Sequence, residues 1–316
     1  MLYVRERPRT TVTSSIDSPA ARQWLARSLG HAATLTRIVP LAGSTSSSLY
    51  RVEATFGQRS VRAVLRLFTL ADWLAREPDL AEHEAAVLAE AERAGLPAPR
   101  LIAFARDDAG FGVPAVLMTH IEGSLDLAPS RFRPCLTALA GTLAAIHRHT
   151  VPELRWRYRS WTETSRLAVP GWAKQRVAWE RAIELKSAGA PAASERFIHR
   201  DYHPANLLWR GRSVAGVVDW VNGCRGPAEV DVAHCRCNLA LMYDADAAEQ
   251  FLDDYRAHMA GFDIHPYWDI DCVLDALPDP TYYEPWRHFG LGAIPQPLLR
   301  MRLEEHLLRI VDRISG

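Results

Sequence analysis

Phe197-Ile198-His199-Arg200-Asp201-Tyr202-His203-Pro204-Ala205-Asn206-Leu207-Leu208-Trp209-Arg210-Gly211-Arg212-Ser213-Val214-Ala215-Gly216-Val217-Val218-Asp219-Trp220 is the stretch on which the reading of this chain turns. His199, Asp201 and Asn206 form an H-x-D-x-x-x-x-N array, and Asp219 ends an apolar run thirteen residues after Asn206. Phosphoryl transfer requires this inventory. One carboxylate must orient or deprotonate an attacking hydroxyl, while an amide oxygen and a second carboxylate hold the Mg²⁺ that bridges the phosphates. Mg²⁺ takes one or two protein oxygens and fills its octahedron with phosphate and water, and Asn206 with Asp219 supplies two. The flanking pattern gives short strands at 197–198 and 207–209, a turn at 210–213, and a third strand at 214–218 that delivers Asp219. His199 and His203 stand four apart, as in a zinc-binding helix, but Pro204 breaks such a helix and no Glu follows His199.

The chain has 316 residues, 48% hydrophobic and 23% charged, enough for one large domain or two lobes with sizeable cores. With no apolar run near eighteen residues and no charged–apolar–small leader, neither a membrane span nor a signal peptide is expected. The five cysteines (135, 224, 235, 237 and 272) lack C-x-x-C spacing and read as reduced thiols of a cytoplasmic protein. His234, Cys235 and Cys237 would be splayed by a helix, which favours packing over metal. Formal charge is zero but uneven: residues 1–243 carry 31 Lys and Arg against 23 Asp and Glu, whereas residues 244–284 carry eleven acids and one arginine. No basic face argues for nucleic acid. The acidic block reads either as a solvated helical face or as a landing surface for a cationic ligand.

Upstream, the first lobe is β-rich, with strands at 34–39, 48–54 and 60–68. Ser44, Thr45 and Ser46 lie in a loop of small residues whose N–H groups and hydroxyls suit phosphate oxygens. In Ala63-Val64-Leu65-Arg66, period-2 alternation puts Val64 and Arg66 on one face, for adenine packing and phosphate charge respectively. Arg62, on the same face, is the fallback cation. An amphipathic helix over 79–94, ended by Gly95 and Pro97, presents Glu84 to Arg66. Met118, Thr119 and Ile121 lie where a strand runs into a hinge, with backbone groups for a purine edge. Neither G-x-x-x-x-G-K-[ST] nor G-x-G-x-x-G occurs.

These segments resemble the aminoglycoside phosphotransferase and choline kinase-like family of small-molecule kinases. The likeness runs from about Ile38 to the C-terminus. Besides the 199–206 loop, its carriers are Leu41–Val52, Ala63–Arg66, Glu84-Ala85-Ala86-Val87-Leu88, Gly95-Leu96-Pro97-Ala98-Pro99, Met118–Gly123, Leu143–His147, Gly216–Trp220 and Gly226–Ala233. The resemblance implies an α+β, bilobal protein-kinase-like fold, with a nucleotide-binding lobe over 1–118 and a helical catalytic and acceptor-binding lobe over 119–316. It implies transfer of the γ-phosphate of ATP or GTP, with Mg²⁺, to an alcohol. Asp201 is then the catalytic base, Asn206 and Asp219 are metal ligands, and His199 and Asp231 brace the loop. Two residues depart from the family pattern: Arg200 stands where Gly is usual, and Arg66 where Lys is usual. Only eleven residues separate Asp219 from Asp231, too few for the activation segment of a protein kinase.

The acceptor is expected among aromatic and acidic residues. A helix over 171–187 with Trp156, Tyr158, Trp161, Trp172 and Trp179 nearby would roof a cleft or simply pack. His203, Asn222, Asp269, Tyr283 and Glu284 are the residues expected to touch it, which favours an aminoglycoside-like or other cationic alcohol. The alternatives are a metabolite kinase of the choline or homoserine type and a non-catalytic nucleotide-binding regulator. The segment 298–314 reads as a closing core helix.

Overall fold

The computed structural model describes residues 11–12, 14–42, 46–106 and 109–315. Contacts divide them into two compact units, one holding the described residues up to Gly123 together with Ala215–Asn222, the other Ser124–Val214 and the residues from Gly223 onward.

The first unit is built on a five-stranded antiparallel sheet. Its members are β1 (Thr34–Leu41), β2 (Ser48–Phe56), β3 (Arg59–Leu67), β4 (Leu101–Ala105) and β5 (Ala115–Thr119), in the order β1-β2-β3-β5-β4. Alternation places Val52, Ala63, Leu65, Leu67, Ala115 and Leu117 on one face, where they pack with Phe111 and with Ala21 and Leu25 of α1 (Pro19–Leu29). Each such leucine, fully buried, contributes about 2 kcal/mol. Gly57, at φ 58°, makes the tight turn from β2 to β3 that sets their register. Helix α1 begins where the sequence says it must: Ser18 Oγ accepts from the Ala21 N–H at 3.0 Å and Pro19 occupies the first turn. After α2 (Ala71–Arg76), α3 (Leu80–Arg93) buries Leu80, Val87, Leu88 and also Glu84. Gly95 closes it at φ 66°, and the N–H of Leu96 returns to the Ala91 carbonyl. The Pro97 carbonyl then accepts from the Val217 N–H at 2.6 Å, anchoring the strand end before Asp219.

The second unit is mainly helical. It contains α4 (Pro129–Phe132), α5 (Leu136–His147), α6 (Arg176–Ser187), β6 (Glu195–Ile198), β7 (Leu207–Arg210), the start of β8 (Ser213–Val217), β9 (Cys224–Pro227), α7 (Ala228–Met242), α8 (Ala245–His258), α9 (Pro266–Asp275) and α10 (Gln296–Ser315). Strands β6 and β9 form an antiparallel ribbon. Helix α7 is the centre: every residue but Glu229 is buried, including Asp231, His234, Arg236 and Asn238. Buried polar groups are stable mainly when bonded: Asp231, His234 and Arg236 each fix a tertiary contact, while Asn238 Nδ2 donates within the helix to the His234 carbonyl at 2.8 Å. Helix α6 starts at Arg176, not at 171. Glu304 Oε1 of α10 accepts the N–H groups of Lys174 and Gln175 at 2.9 and 3.0 Å and sets that start. Trp172 and Trp179 pack edge to face at 5.4 Å. Among the described residues no helix is long and apolar enough to cross a membrane.

Candidate active site

The loop after β6 is held by a carboxylate from α7. Asp231 accepts the backbone N–H of His199 through Oδ2 and that of Arg200 through Oδ1, both at 2.7 Å. Its Oδ2 also meets His147 Nε2 at 3.2 Å, and His147 Nδ1 meets the Tyr255 hydroxyl at 2.7 Å. Burial pushes the Asp231 carboxyl up, but the bond and charge of His147 and the N–H of His199 hold it below its ordinary range. This grip stabilises a loop that includes Arg200 at φ 73°, a left-handed conformation uncommon for a long side chain. His199 Nδ1 accepts the Asp201 N–H at 3.3 Å, and His203 Nδ1 accepts that of Ala205 at 3.3 Å. Both histidines thus accept backbone N–H groups of the loop.

Asp201 is buried, and His234 Nε2 lies 3.1 Å from its Oδ1, with His203 Nε2 at 3.7 Å. Burial raises the Asp201 carboxyl, yet the hydrogen bond and charge of His234 are among the causes that hold it well below the usual range. For His234, burial works against the charge, but the bonds to Asp201 and Cys272 push its pKa up to about 9. Burial drives His203 the other way, well below its usual value, so it stays neutral. Asn206 Nδ2 donates to the Asp201 carbonyl at 2.8 Å and to Oδ2 at 3.3 Å, which leaves Oδ1 as the atom a hard cation would take. His234 was read from sequence only as part of a possible Cys-rich cluster. Its spacing of three from Asp231 on one helix was the available signal. Among the described residues no group of three or more His, Cys, Asp or Glu is placed to hold a metal ion.

In the first unit, Arg66 meets Glu84, the partner expected for it, and also Asp219. Its Nε lies 3.4 Å from Glu84 Oε2, and its Nη1 donates to Asp219 Oδ1 at 2.6 Å. Glu84 is buried, and burial, outweighing the pull of Arg66, raises its pKa to about 7. Asp219 sits at φ 66° just past β8, with its side chain 31% exposed and Oδ2 unbonded among the described residues, a donor suited to Mg²⁺. Val64 faces Met118 across β3 and β5, side by side on one surface of the sheet. The N–H of Thr119 is spent on the Arg100 carbonyl at 2.9 Å and is not available to a purine. Ile121 packs on Gly216, where a Cβ would fall 2.4 Å from Ile121 Cδ1. Arg62 pairs with exposed Glu122 at 2.6 Å, away from Glu84 and Asp219. Ser46 is buried; Ser44 and Thr45 lie outside the described residues.

Of the residues expected to touch an acceptor, His203 and Tyr283 both flank Trp286, at 6.4 and 5.6 Å between ring centres, whereas Asp269 does not join them. Asp269 is wholly buried between Arg236 and Arg313, a structural ion pair with no face for a ligand. Tyr283 packs edge to face on Trp286 at 5.6 Å, Glu284 pairs with Arg287 at 3.4 Å, and Asn222 belongs to the first unit. Only His203 adjoins Asp201. The acidic block is neutralised from within. Asp244 meets Arg133, Asp246 Arg309, Glu249 Arg236, Asp253 and Asp263 Arg256, Asp271 Lys186, and Asp279 Arg300. Asp254 bonds Thr137 and Gln250. Such a surface offers a polycation little unpaired charge. Within the second unit a half-open cleft, whose roughly 320 Å³ includes open solvent, is lined by Tyr158, Trp161, Arg200, His234, Trp268 and Asp275 among others.

Comparisons with known proteins agree with this architecture. The model of the phosphotransferase enzyme family matches residues 37–267. The N-acetylmuramate/N-acetylglucosamine kinase of Pseudomonas putida is 29% identical over 93 residues, 29% of this chain and only 27% of that relative's length. Choline kinase LicA from Streptococcus pneumoniae superposes with a TM-score of 0.59 at 14% identity, covering 92% of this chain and 98% of that one. Aminoglycoside phosphotransferase APH(3'')-Id from Streptomyces rimosus, solved with ADP and streptomycin, gives 0.51 at 15% identity, covering 75% and 91%. At such identities these structures establish a protein-kinase-like fold, with an antiparallel N-terminal sheet and a helical C-terminal part. The family match supplies the chemistry: the chain belongs to the phosphotransferase enzyme family and is a small-molecule kinase.

Proposed function

We propose that this protein is a cytoplasmic, Mg²⁺-dependent O-phosphotransferase that moves the γ-phosphate of ATP or GTP to a hydroxyl of a small molecule. The observation that carries the reading is the setting of Asp201: an ionised carboxylate, held by the His234 imidazolium and Asn206, in a loop gripped by Asp231. In this reading Asp201 Oδ2 receives the acceptor hydroxyl hydrogen and aims the oxygen in line with the phosphorus. Asn206 Oδ1 and Asp219 would hold Mg²⁺, which when bound supplies charge neutralisation on the phosphates. Arg66, steadied by Glu84, adds fixed positive charge at the phosphates, and Val64 and Met118 offer the base an apolar seat. The five cysteines, all free thiols, fit a reducing compartment.

The test is acceptor-dependent release of nucleoside diphosphate from ATP or GTP with Mg²⁺. The panel holds aminoglycosides, choline, N-acetylmuramate, N-acetylglucosamine and metabolic alcohols, the relatives' acceptors among them. Turnover that disappears in Asp201→Ala, with nucleotide affinity retained, is the expected result. Turnover that persists in that variant would overturn the assignment.

A further inference from the structure

The cleft of the second unit holds one cation that no other part of the site uses. Arg200 lies over two aromatic rings, its Cζ 3.5 Å from the Trp161 ring centre and 4.6 Å from that of Tyr158. Tyr158 is fixed there by its N–H on the Arg225 carbonyl at 2.7 Å and by Gly226, where a Cβ would fall 2.6 Å from it. With rings on its faces, a guanidinium bonds only in its own plane. Nη2 gives one bond to the Arg159 carbonyl at 2.9 Å, while Nε and Nη1 make none among the described residues. The backbone does not call for an arginine here, since φ 73° is a conformation glycine adopts without strain.

The carboxylates nearby make no hydrogen bond or close ion pair with this fork among the described residues, although Asp275 lies near enough to feel its charge. Asp271 is spent on Lys186 at 2.6 Å, Ser160 at 2.8 Å and the Tyr158 hydroxyl at 2.7 Å. Asp275, one turn further along α9, lines the cleft without a hydrogen bond among the described residues and without an ion pair to Arg200. His234, on the same wall, carries the hydrogen bond to Asp201, and Arg200 precedes Asp201 in sequence, so the cleft adjoins the reactive carboxylate.

We propose that the acceptor is a hydroxylated carboxylic acid whose carboxylate docks in plane on the Arg200 fork, with Asp275 accepting a hydroxyl or amino hydrogen of the same molecule. This rests on the kinase reading and narrows its substrate. A planar fork prefers a planar anion, and two charge-assisted bonds add direction as well as strength.

The experiment compares kcat/KM for glycerate, gluconate and serine with that for the primary amide of each, using Mg²⁺ and ATP. Wild type should favour at least one acid over its amide by about 100-fold, the discrimination expected of hydrogen bonds to a charged group. Arg200→Gly should bring the ratio near one, and Arg200→Lys should leave it intermediate. Trp161→Ala, outside the catalytic loop, should lower the ratio through loss of the stacked face. Equal use of acids and amides, no use of any acid, or a preference that survives Arg200→Gly would each overturn the proposal. Turnover of a neutral or cationic alcohol that vanishes in Asp201→Ala would overturn the carboxylate alone and leave the kinase reading standing.

Discussion

His234 Nε2 lies 3.1 Å from Asp201 Oδ1, so the carboxylate proposed to meet the acceptor is held by a cation of the central helix α7. The pair is buried, and its value depends on both charges being present. His234 is raised to about 9 and Asp201 is lowered from 3.8. A raised histidine stabilises fully below its unfolded pKa, and that stability is lost as pH rises through about 9. A lowered aspartate contributes above its unfolded pKa and loses that contribution in acid. Removing one partner of such a pair costs about 3 kcal/mol. His234→Gln should therefore be destabilised by that order in urea unfolding at neutral pH, and much less above the titration of His234. An equal deficit at both pH values would count against the ion pair.

Glu84 carries the opposite sign. Its folded pKa of about 7 exceeds the unfolded 4.5, chiefly through burial, so ionising it in the folded protein costs stability. The wild type should lose stability as pH rises from 4.5 through 7 and keep the deficit above. Glu84→Gln should flatten that slope, gaining on the order of 3 kcal/mol relative to wild type between acid and alkaline pH. Parallel pH profiles of the two proteins would refute this.

Much of this site was legible in sequence because its signals are local. Asp201 and Asn206 lie within one loop, and Glu84 sits at a spacing on α3 that faces a strand residue of known alternation, Arg66. The acidic block was misleading for the converse reason. Apart from Arg256 and Arg287, many of its counter-ions lie far off in the chain, with Lys186 bonded to Asp271 across 85 residues and Arg313 to Asp269 across 44. No local pattern announces a partner at that range. Tyr158 and Trp161 have no periodicity because they lie in irregular chain, and only the fold shows that they cover Arg200 while Trp172 and Trp179 pack together.

Asp231 tests how far the loop depends on its brace. Its two oxygens accept the N–H groups of His199 and Arg200. Asp231→Asn presents a donor to one of them and removes the charge that His147 meets. A loss of about 3 kcal/mol and a fall in kcat are expected, since a buried donor is left unmatched. The lowered pKa of Asp231 also sets a sign in acid: its contribution is present above 3.8 and disappears as pH falls through the folded value below that. Acid unfolding of wild type and variant should converge there. Separation that persists in strong acid would contradict the assignment.

Asp269 and Asp275 stand on one helix, α9, and separate a packing acid from a binding one. Asp269 is fully buried against Arg236 and Arg313, so Asp269→Asn leaves buried guanidinium charge poorly matched. It should lower stability by about 3 kcal/mol while the acceptor KM stays within about 2-fold. Asp275 is different: burial raises its pKa to about 6, so its ionised form is a burden to the fold above that pH. Asp275→Asn should leave stability equal or improved at neutral pH. It should nevertheless raise the acceptor KM, because the amide removes the charge and one of the two acceptor oxygens that the cleft presents. Urea unfolding and acceptor saturation, measured on both variants, give four outcomes that must cross in this pattern. If Asp269→Asn alters KM and Asp275→Asn only stability, the roles of the two acids must be exchanged.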